Sequence, residues 1–120
     1  MQVVEDQVLI SPSDITSAAA CEFAWLRNLD LRLGRIEHLP DESDPLTARA
    51  ADLGLLHEQR QLDAYASTFG PEGVVTIDSP GGDLKALTSA CAQTLDALRA
   101  QRPVVYQAAV QDKNLRGFAD

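Results

Sequence analysis

Apolar side chains recur at three- and four-residue steps in three stretches of the chain, which is the spacing of one helix face. The first stretch opens with Ser11, which can cap a helix, and Pro12, which suits the first helical position. Asp14 follows at the position that completes a capping box, and Gly34 is a typical stop. We therefore expect one helix over 11–34, with its apolar face formed by Ile15, Ala19, Phe23, Leu26, Leu29 and Leu33.

A second helix is predicted from Asp44-Pro45 to about Phe69, where Gly70-Pro71 ends it. It has two apolar sets, which predict burial on two sides: Leu46, Ala50, Leu53, His57 and Ala64, and then Leu55, Leu62, Tyr65 and Phe69. A third helix follows Asp83, which is interpreted as its cap. The Gly81-Gly82 pair before it is not part of a phosphate-loop motif, so phosphate binding by this loop is not favoured. The predicted inner stripe of this helix is Leu84, Leu87, Cys91, Leu95 and Leu98.

β-Branched and apolar runs predict strands at 8–10, 74–77 and 104–110, the last being the strongest. A turn at 112–114 and a partner strand at 115–120 would complete a hairpin. The fold class is α/β, in one domain over 1–120 with a helical part at 11–70 and the start of an α/β core at 74–120. Because the sequence stops inside the last strand, we expect the natural protein to continue.

Composition supports a folded chain but not an ordinary nucleic-acid binder. Of 120 residues, 45% are hydrophobic, which is enough for a core, while the net charge is −8. Nucleic-acid binders usually carry a basic surface that neutralises phosphates. The N-terminus lacks the features of a signal peptide, and no segment approaches the roughly 20 apolar residues of a membrane span. We expect a cytoplasmic protein with no membrane partner.

Two residues are candidates for metal chemistry. His57 lies on an apolar helix stripe, where a histidine is most often a core residue with its hydrogen bonds satisfied, but neutral imidazole also binds divalent metals well. Asp120 follows Gly117 in the last strand. A strand-end carboxylate is usually an ordinary surface group, yet it also suits hard cations such as Mg²⁺ or Mn²⁺.

The order of short motifs resembles the RecB-like nucleases of the PD-(D/E)XK superfamily over nearly the whole chain. The motifs are the Ser-Pro-Ser-Asp opening and the helix containing Cys21, the G-x-x-H-E element at 54–58, the Tyr-Gln-Ala run at 106–108, and the Arg-Gly-Phe-Ala-Asp ending at 116–120. The resemblance implies N-terminal helices leading into the mixed sheet of a restriction-endonuclease-like core, cut inside the hairpin.

What the resemblance implies for function is metal-dependent hydrolysis of phosphodiester bonds in nucleic acid, DNA in particular. His57 matches the family's helix histidine and Asp120 its first metal-binding aspartate, with Mg²⁺ or Mn²⁺ as the cofactor. The family's acid-x-Lys motif and its later Gln/Tyr motif would fall after residue 120, so we expect these 120 residues alone to be inactive.

Cys21 has two interpretations. A free cysteine on a helix is usually a small buried residue. In some RecB-like exonucleases, however, a cysteine at this position joins three others near the C-terminus in holding a [4Fe–4S] cluster, so the resemblance implies such a cluster for the full-length protein. Glu22 follows here, where those proteins often have proline. Cys91 is interpreted as a core residue.

An interpretation from a different functional class stays open. The chain could be a non-catalytic, mostly helical module whose acidic surface binds a protein partner, which explains the charge better but leaves the ordered motifs unexplained. An acid-x-Lys motif on the strand after Asp120 would favour the nuclease.

Overall fold

The computed structural model describes residues 1–5, 7–37 and 44–119. Four helices and six short strands follow one another, with one 3₁₀ turn at Pro71–Gly73. In chain order the elements are β1 (Gln2–Val4), β2 (Gln7–Leu9), α1 (Pro12–Ala20), α2 (Glu22–Arg32), α3 (Pro45–Phe69), β3 (Val74–Thr76), α4 (Leu84–Arg99), β4 (Val104–Tyr106), β5 (Ala108–Asp112) and β6 (Leu115–Ala119).

The strands form three small pairs rather than one continuous sheet. β1 pairs with β2 and β5 with β6 in antiparallel hairpins, while β3 pairs with β4 in parallel. A parallel pair needs a long crossover between its strands, and α4 provides it. Ile10 joins the two hairpins: its N–H donates to the carbonyl of Asn114 and its carbonyl accepts the N–H of Arg116. The fold is therefore mixed α/β, as expected.

The core lies between α4 and the strands. Its largest fully buried side chains are Leu9, Ile77 and Leu87, which come from β2, the end of β3 and α4. The buried face of α4 is formed by Leu87, Ala90, Thr94 and Ala97, whereas the predicted stripe included Leu95 and Leu98, which are exposed. The buried face is therefore rotated from the predicted stripe, and it includes the small side chains of Ala90 and Ala97 besides Leu87.

The single helix predicted over 11–34 is wrong, because Cys21 has an extended backbone (φ −157°, ψ 99°) and separates α1 from α2. The residues around the break are good helix formers, so propensity does not mark it. The hydroxyls of Thr16 and Ser17 donate to the carbonyls of Pro12 and Ser13, four residues back. Such bonds compete with the helix ladder and bend helices, which favours a break at this point.

The single strand predicted over 104–110 is also wrong. Gln107 has a left-handed backbone (φ 59°) and divides the run into β4, which pairs with β3, and β5, which pairs with β6. A continuous apolar run cannot show such a change of partner. The strand at 74–77, the turn before Leu115 and the hairpin partner follow the prediction.

α3 has the predicted bounds but not the predicted burial. Asp44 caps it, because its carboxylate accepts the backbone N–H of Leu46 at 3.1 Å and the hydroxyl of Thr47 at 3.0 Å; these bonds lower the pKa of Asp44. No residue of the 25-residue helix is buried, and Leu46 and Leu53 remain 75% and 58% exposed. Its two apolar sets therefore do not indicate two buried sides.

The start of α1 is held by a small ionic cluster. The Met1 ammonium pairs with the Asp14 carboxylate, which also accepts the backbone N–H of Ser11 at 2.8 Å. Burial alone would raise the pKa of Asp14, but the hydrogen bonds from the ammonium and from Ser11 outweigh it and lower the pKa to about 2. Across the described parts of the chain, no helix combines the length and apolar character needed to cross a membrane.

Candidate functional site

A cleft of about 220 Å³ lies between α3 and β4, and it contains the candidate histidine. We call it the α3–β4 cleft. Its helix wall consists of His57, Glu58, Gln61, Leu62 and Tyr65, and its floor is the strand Val104–Tyr106. The five helical residues share a side because positions three and four apart are neighbours on a helix. The cleft thus combines an apolar floor with a rim of one imidazole, one carboxylate, one amide and one phenol.

Glu58 and Tyr106 join the two walls. The Tyr106 hydroxyl donates to Oε2 of Glu58 at 2.6 Å, although the residues are 48 positions apart. A short hydrogen bond to an ionised carboxylate is stronger than one between neutral groups. Because α3 has no buried residue, this bond is a specific link between the helix and the strand that forms the cleft.

His57 is exposed at the edge of the cleft. The interpretation of it as a buried core histidine is therefore wrong. Within the described residues its imidazole takes part in no hydrogen bond or ion pair. An accessible imidazole beside a carboxylate can bind a metal ion or a polar ligand.

Asp120 lies outside the described residues, so its convergence with His57 stays a prediction. The hairpin that precedes it does form, with Val110 paired to Gly117. That hairpin borders a different pocket, of about 300 Å³, whose other wall is formed by Ile10, Pro12 and Ile15. A Cβ at Gly117 would meet Val110 Cγ2 at 3.5 Å, which is an ordinary contact distance, so lack of space does not require a glycine here.

The fit of a metal ion depends on Asp120. Over residues 1–5, 7–37 and 44–119, no three His, Cys, Asp or Glu side chains come close enough together to hold one. His57 with Glu58 is an incomplete ligand set for Mg²⁺ or Mn²⁺, which bind several oxygen ligands. The described residues alone do not make a metal site.

The two cysteines differ from the prediction in one respect. Cys21 is exposed at the break between α1 and α2, not buried within a helix. Cys91 is half-buried and packs against the core, as predicted, and burial raises the pKa of its thiol. A [4Fe–4S] cluster usually requires four thiolates, and the chain has two cysteines, so these residues cannot hold one by themselves.

The loop before α4 is a helix cap, as predicted. The Asp83 carboxylate accepts the backbone N–H of Lys85 at 2.9 Å, which satisfies a free donor of the first turn. The side-chain amide of Gln2 donates to the Gly81 carbonyl at 3.2 Å, so the loop is tied to β1.

The sequence did not identify Gln61, Tyr65 or Tyr106, the partner of Glu58, as members of one site. The helical spacing of 57, 58, 61 and 65 was a signal for the shared wall. No local signal identifies β4 as the opposite wall, because that contact joins distant parts of the chain.

No protein-family model, curated protein or solved structure matches the chain. The nuclease interpretation therefore depends on the short motifs and on the position of the residues that carry them.

Proposed function

We propose that the chain is the N-terminal part of a RecB-like, metal-dependent nuclease domain, in which His57 and Asp120 hold Mg²⁺ or Mn²⁺. The unit β3–α4–β4 and the hairpin β5–β6 would then begin a restriction-endonuclease-like core. DNA is the proposed substrate of the full-length protein.

The observation that supports this most is the exposure of His57 at the α3–β4 cleft. A metal ligand must be reachable from solvent, and a core histidine is not. The helix also presents His57 beside β4 rather than towards open solvent alone.

The chain's own residues have limited roles in this proposal. His57 offers an imidazole nitrogen as a ligand, and the bond from Tyr106 to Glu58 holds the helix against β4. A bound metal would supply the activation of a water molecule and the screening of the scissile phosphate.

Manganese binding by the chain tests the proposal. In nuclear magnetic resonance spectra, paramagnetic Mn²⁺ should broaden amide signals near residues 57 and 117–120 before others. His57→Ala and Asp120→Asn should each weaken this broadening, while Asp78→Asn, at an exposed site in the loop after β3, should not. Broadening centred on the acidic stretch 41–44, and unchanged in His57→Ala, would contradict the proposal.

A second candidate is a non-catalytic module whose acidic surface binds a basic protein. It is favoured by the net charge of −8 and by a cleft whose wall carries a carboxylate but no lysine or arginine. Binding of a guanidinium probe in the cleft, described below, tests it separately from Mn²⁺ binding.

A further inference from the structure

The α3–β4 cleft has the chemistry of a receptor for one long cationic side chain. Val104 and Val105 make its floor largely apolar, and Leu62 of the helix wall adds to the apolar surface. The methylene stem of an arginine or lysine packs on such a surface while its charged end reaches polar groups. At about 220 Å³ the cleft is smaller than the roughly 300–1,000 Å³ of sites for drug-sized ligands. It is suited to one side chain rather than a whole small molecule.

The charged group in the cleft is Glu58, which is half-buried. Its Oε2 accepts the Tyr106 hydroxyl, and within the described residues Oε1 receives no hydrogen bond. A carboxylate has about four acceptor positions, so the pair leaves room for the two parallel N–H donors of a guanidinium. The bond from Tyr106 already fixes the rotamer of the carboxylate, which reduces the ordering cost of binding.

Tyr65 provides an aromatic ring in the same cleft, about two helical turns along α3 from Glu58. It is 44% exposed, and its ring stacks on Phe69 with 6.4 Å between centroids, which restrains its orientation. A guanidinium over a tyrosine face gains a cation–π contact. Gln61 adds an amide oxygen at the same rim.

We propose that the α3–β4 cleft binds an arginine side chain of a basic protein segment. The net charge of −8 draws such a segment towards the surface, and none of the described residues that line the cleft is a lysine or arginine, which leaves the carboxylate for the incoming cation. The inference names the partner chemistry of the second candidate function, and it does not depend on metal binding by His57 and Asp120.

Nuclear magnetic resonance with a minimal probe tests it. Acetylated, amidated arginine is titrated into the whole chain, and the same compound with citrulline, a neutral analogue of arginine, is the ligand control. Arginine should give saturable amide shifts at 57–65 and 104–106, and citrulline should give weaker ones. Equal shifts with both compounds would overturn the proposal, because they would show that charge is not recognised.

Matched variants locate the binding. Glu58→Gln removes the charge but keeps an acceptor for Tyr106, and it should weaken arginine binding roughly tenfold. Asp52→Asn removes the same charge from the same helix outside the cleft and should leave binding nearly unchanged. Equal effects of the two variants would mean that only the overall charge attracts the probe, which would overturn the site.

A second variant covers the case in which Glu58→Gln unfolds. Tyr65→Leu keeps an apolar side chain and removes the aromatic face, so it should weaken arginine binding by roughly threefold. No loss in Tyr65→Leu would contradict the proposed pose. Shifts of these amides by a short single-stranded oligonucleotide, with none from arginine, would assign the cleft to nucleic acid instead.

Discussion

The backbone N–H of Ala109 donates to the hydroxyl oxygen of Thr94 at 2.9 Å, and both residues are almost completely buried. The same hydroxyl donates to the Ala90 carbonyl one turn back in α4. One side chain thus connects the central helix to β5. Nothing in the apolar pattern of α4 distinguishes this threonine as a structural residue.

Replacing Thr94 with Val should destabilise the fold by about 1–3 kcal/mol, because the Ala109 N–H would lose this partner in a buried place. Thr94→Ser keeps the hydroxyl and should therefore avoid most of the destabilisation expected for Thr94→Val. Urea unfolding followed by circular dichroism measures both. Equal stabilities of the Ser and Val variants would show that the hydroxyl contributes nothing beyond packing.

Acid should weaken the N-terminal cluster through Asp14. Its pKa is about 2 in the folded chain, against an ordinary value of 3.8, so the ionised form is favoured by folding. The contribution is fully present above the unfolded pKa and disappears as the pH falls through the folded pKa. It amounts to about 2 kcal/mol.

Asp14→Asn should therefore lower the free energy of unfolding at pH 7 and flatten its dependence on pH between about 5 and 2. Asp78→Asn, at an exposed site, is the control and should follow the parent chain. A parallel loss of stability in parent and Asp14→Asn across that range would exclude Asp14 as the titrating group.

The 120-residue chain should leave both single- and double-stranded DNA intact in the presence of Mn²⁺. The reason is that the acid-x-Lys motif implied by the resemblance would follow Asp120 and is not part of these residues. Gel analysis after long incubation measures this. Cleavage that is abolished in His57→Ala would mean that a complete catalytic set already lies within the chain.

The two thiols should react at different rates with a thiol reagent. Cys21 is exposed and should react first, whereas Cys91 is half-buried with a raised pKa and should react slowly, because less of it is thiolate. Cys21→Ser should remove the fast phase, which absorbance readily follows. Anaerobically purified chain should be colourless, and brown material containing iron would contradict the conclusion that two cysteines hold no cluster.

Local chemistry made part of the fold predictable. The bounds of α3 and the start of α4 follow from caps at Asp44 and Asp83, which act within two residues of the helix start. The breaks at Cys21 and Gln107 could not be predicted, because neither is a glycine or proline. The break at Gln107 also accompanies a change of strand partner from β3 to β6, which a local run of residues does not show.

In the candidate site too, the features set by nearby residues could be predicted and the tertiary contacts could not. His57 could be identified from its motif, and its neighbours on α3 follow from helical spacing. Its exposure could not be predicted, because an apolar stripe usually indicates burial, whereas here His57 stays exposed at the edge of the α3–β4 cleft. The link between Glu58 and Tyr106 is a tertiary contact that no window of sequence contains.

The attachment of Ile10 to Asn114 and Arg116 has a consequence for the order of folding. Ile10 must meet residues 114–116 before the N-terminal hairpin gains its neighbour, so that contact closes a loop that contains every element from α1 to β5. Contacts of such long separation form slowly. During synthesis, α3 and α4 can form while β2 still lacks its neighbour, and β2 stays without that neighbour until β6 has left the ribosome.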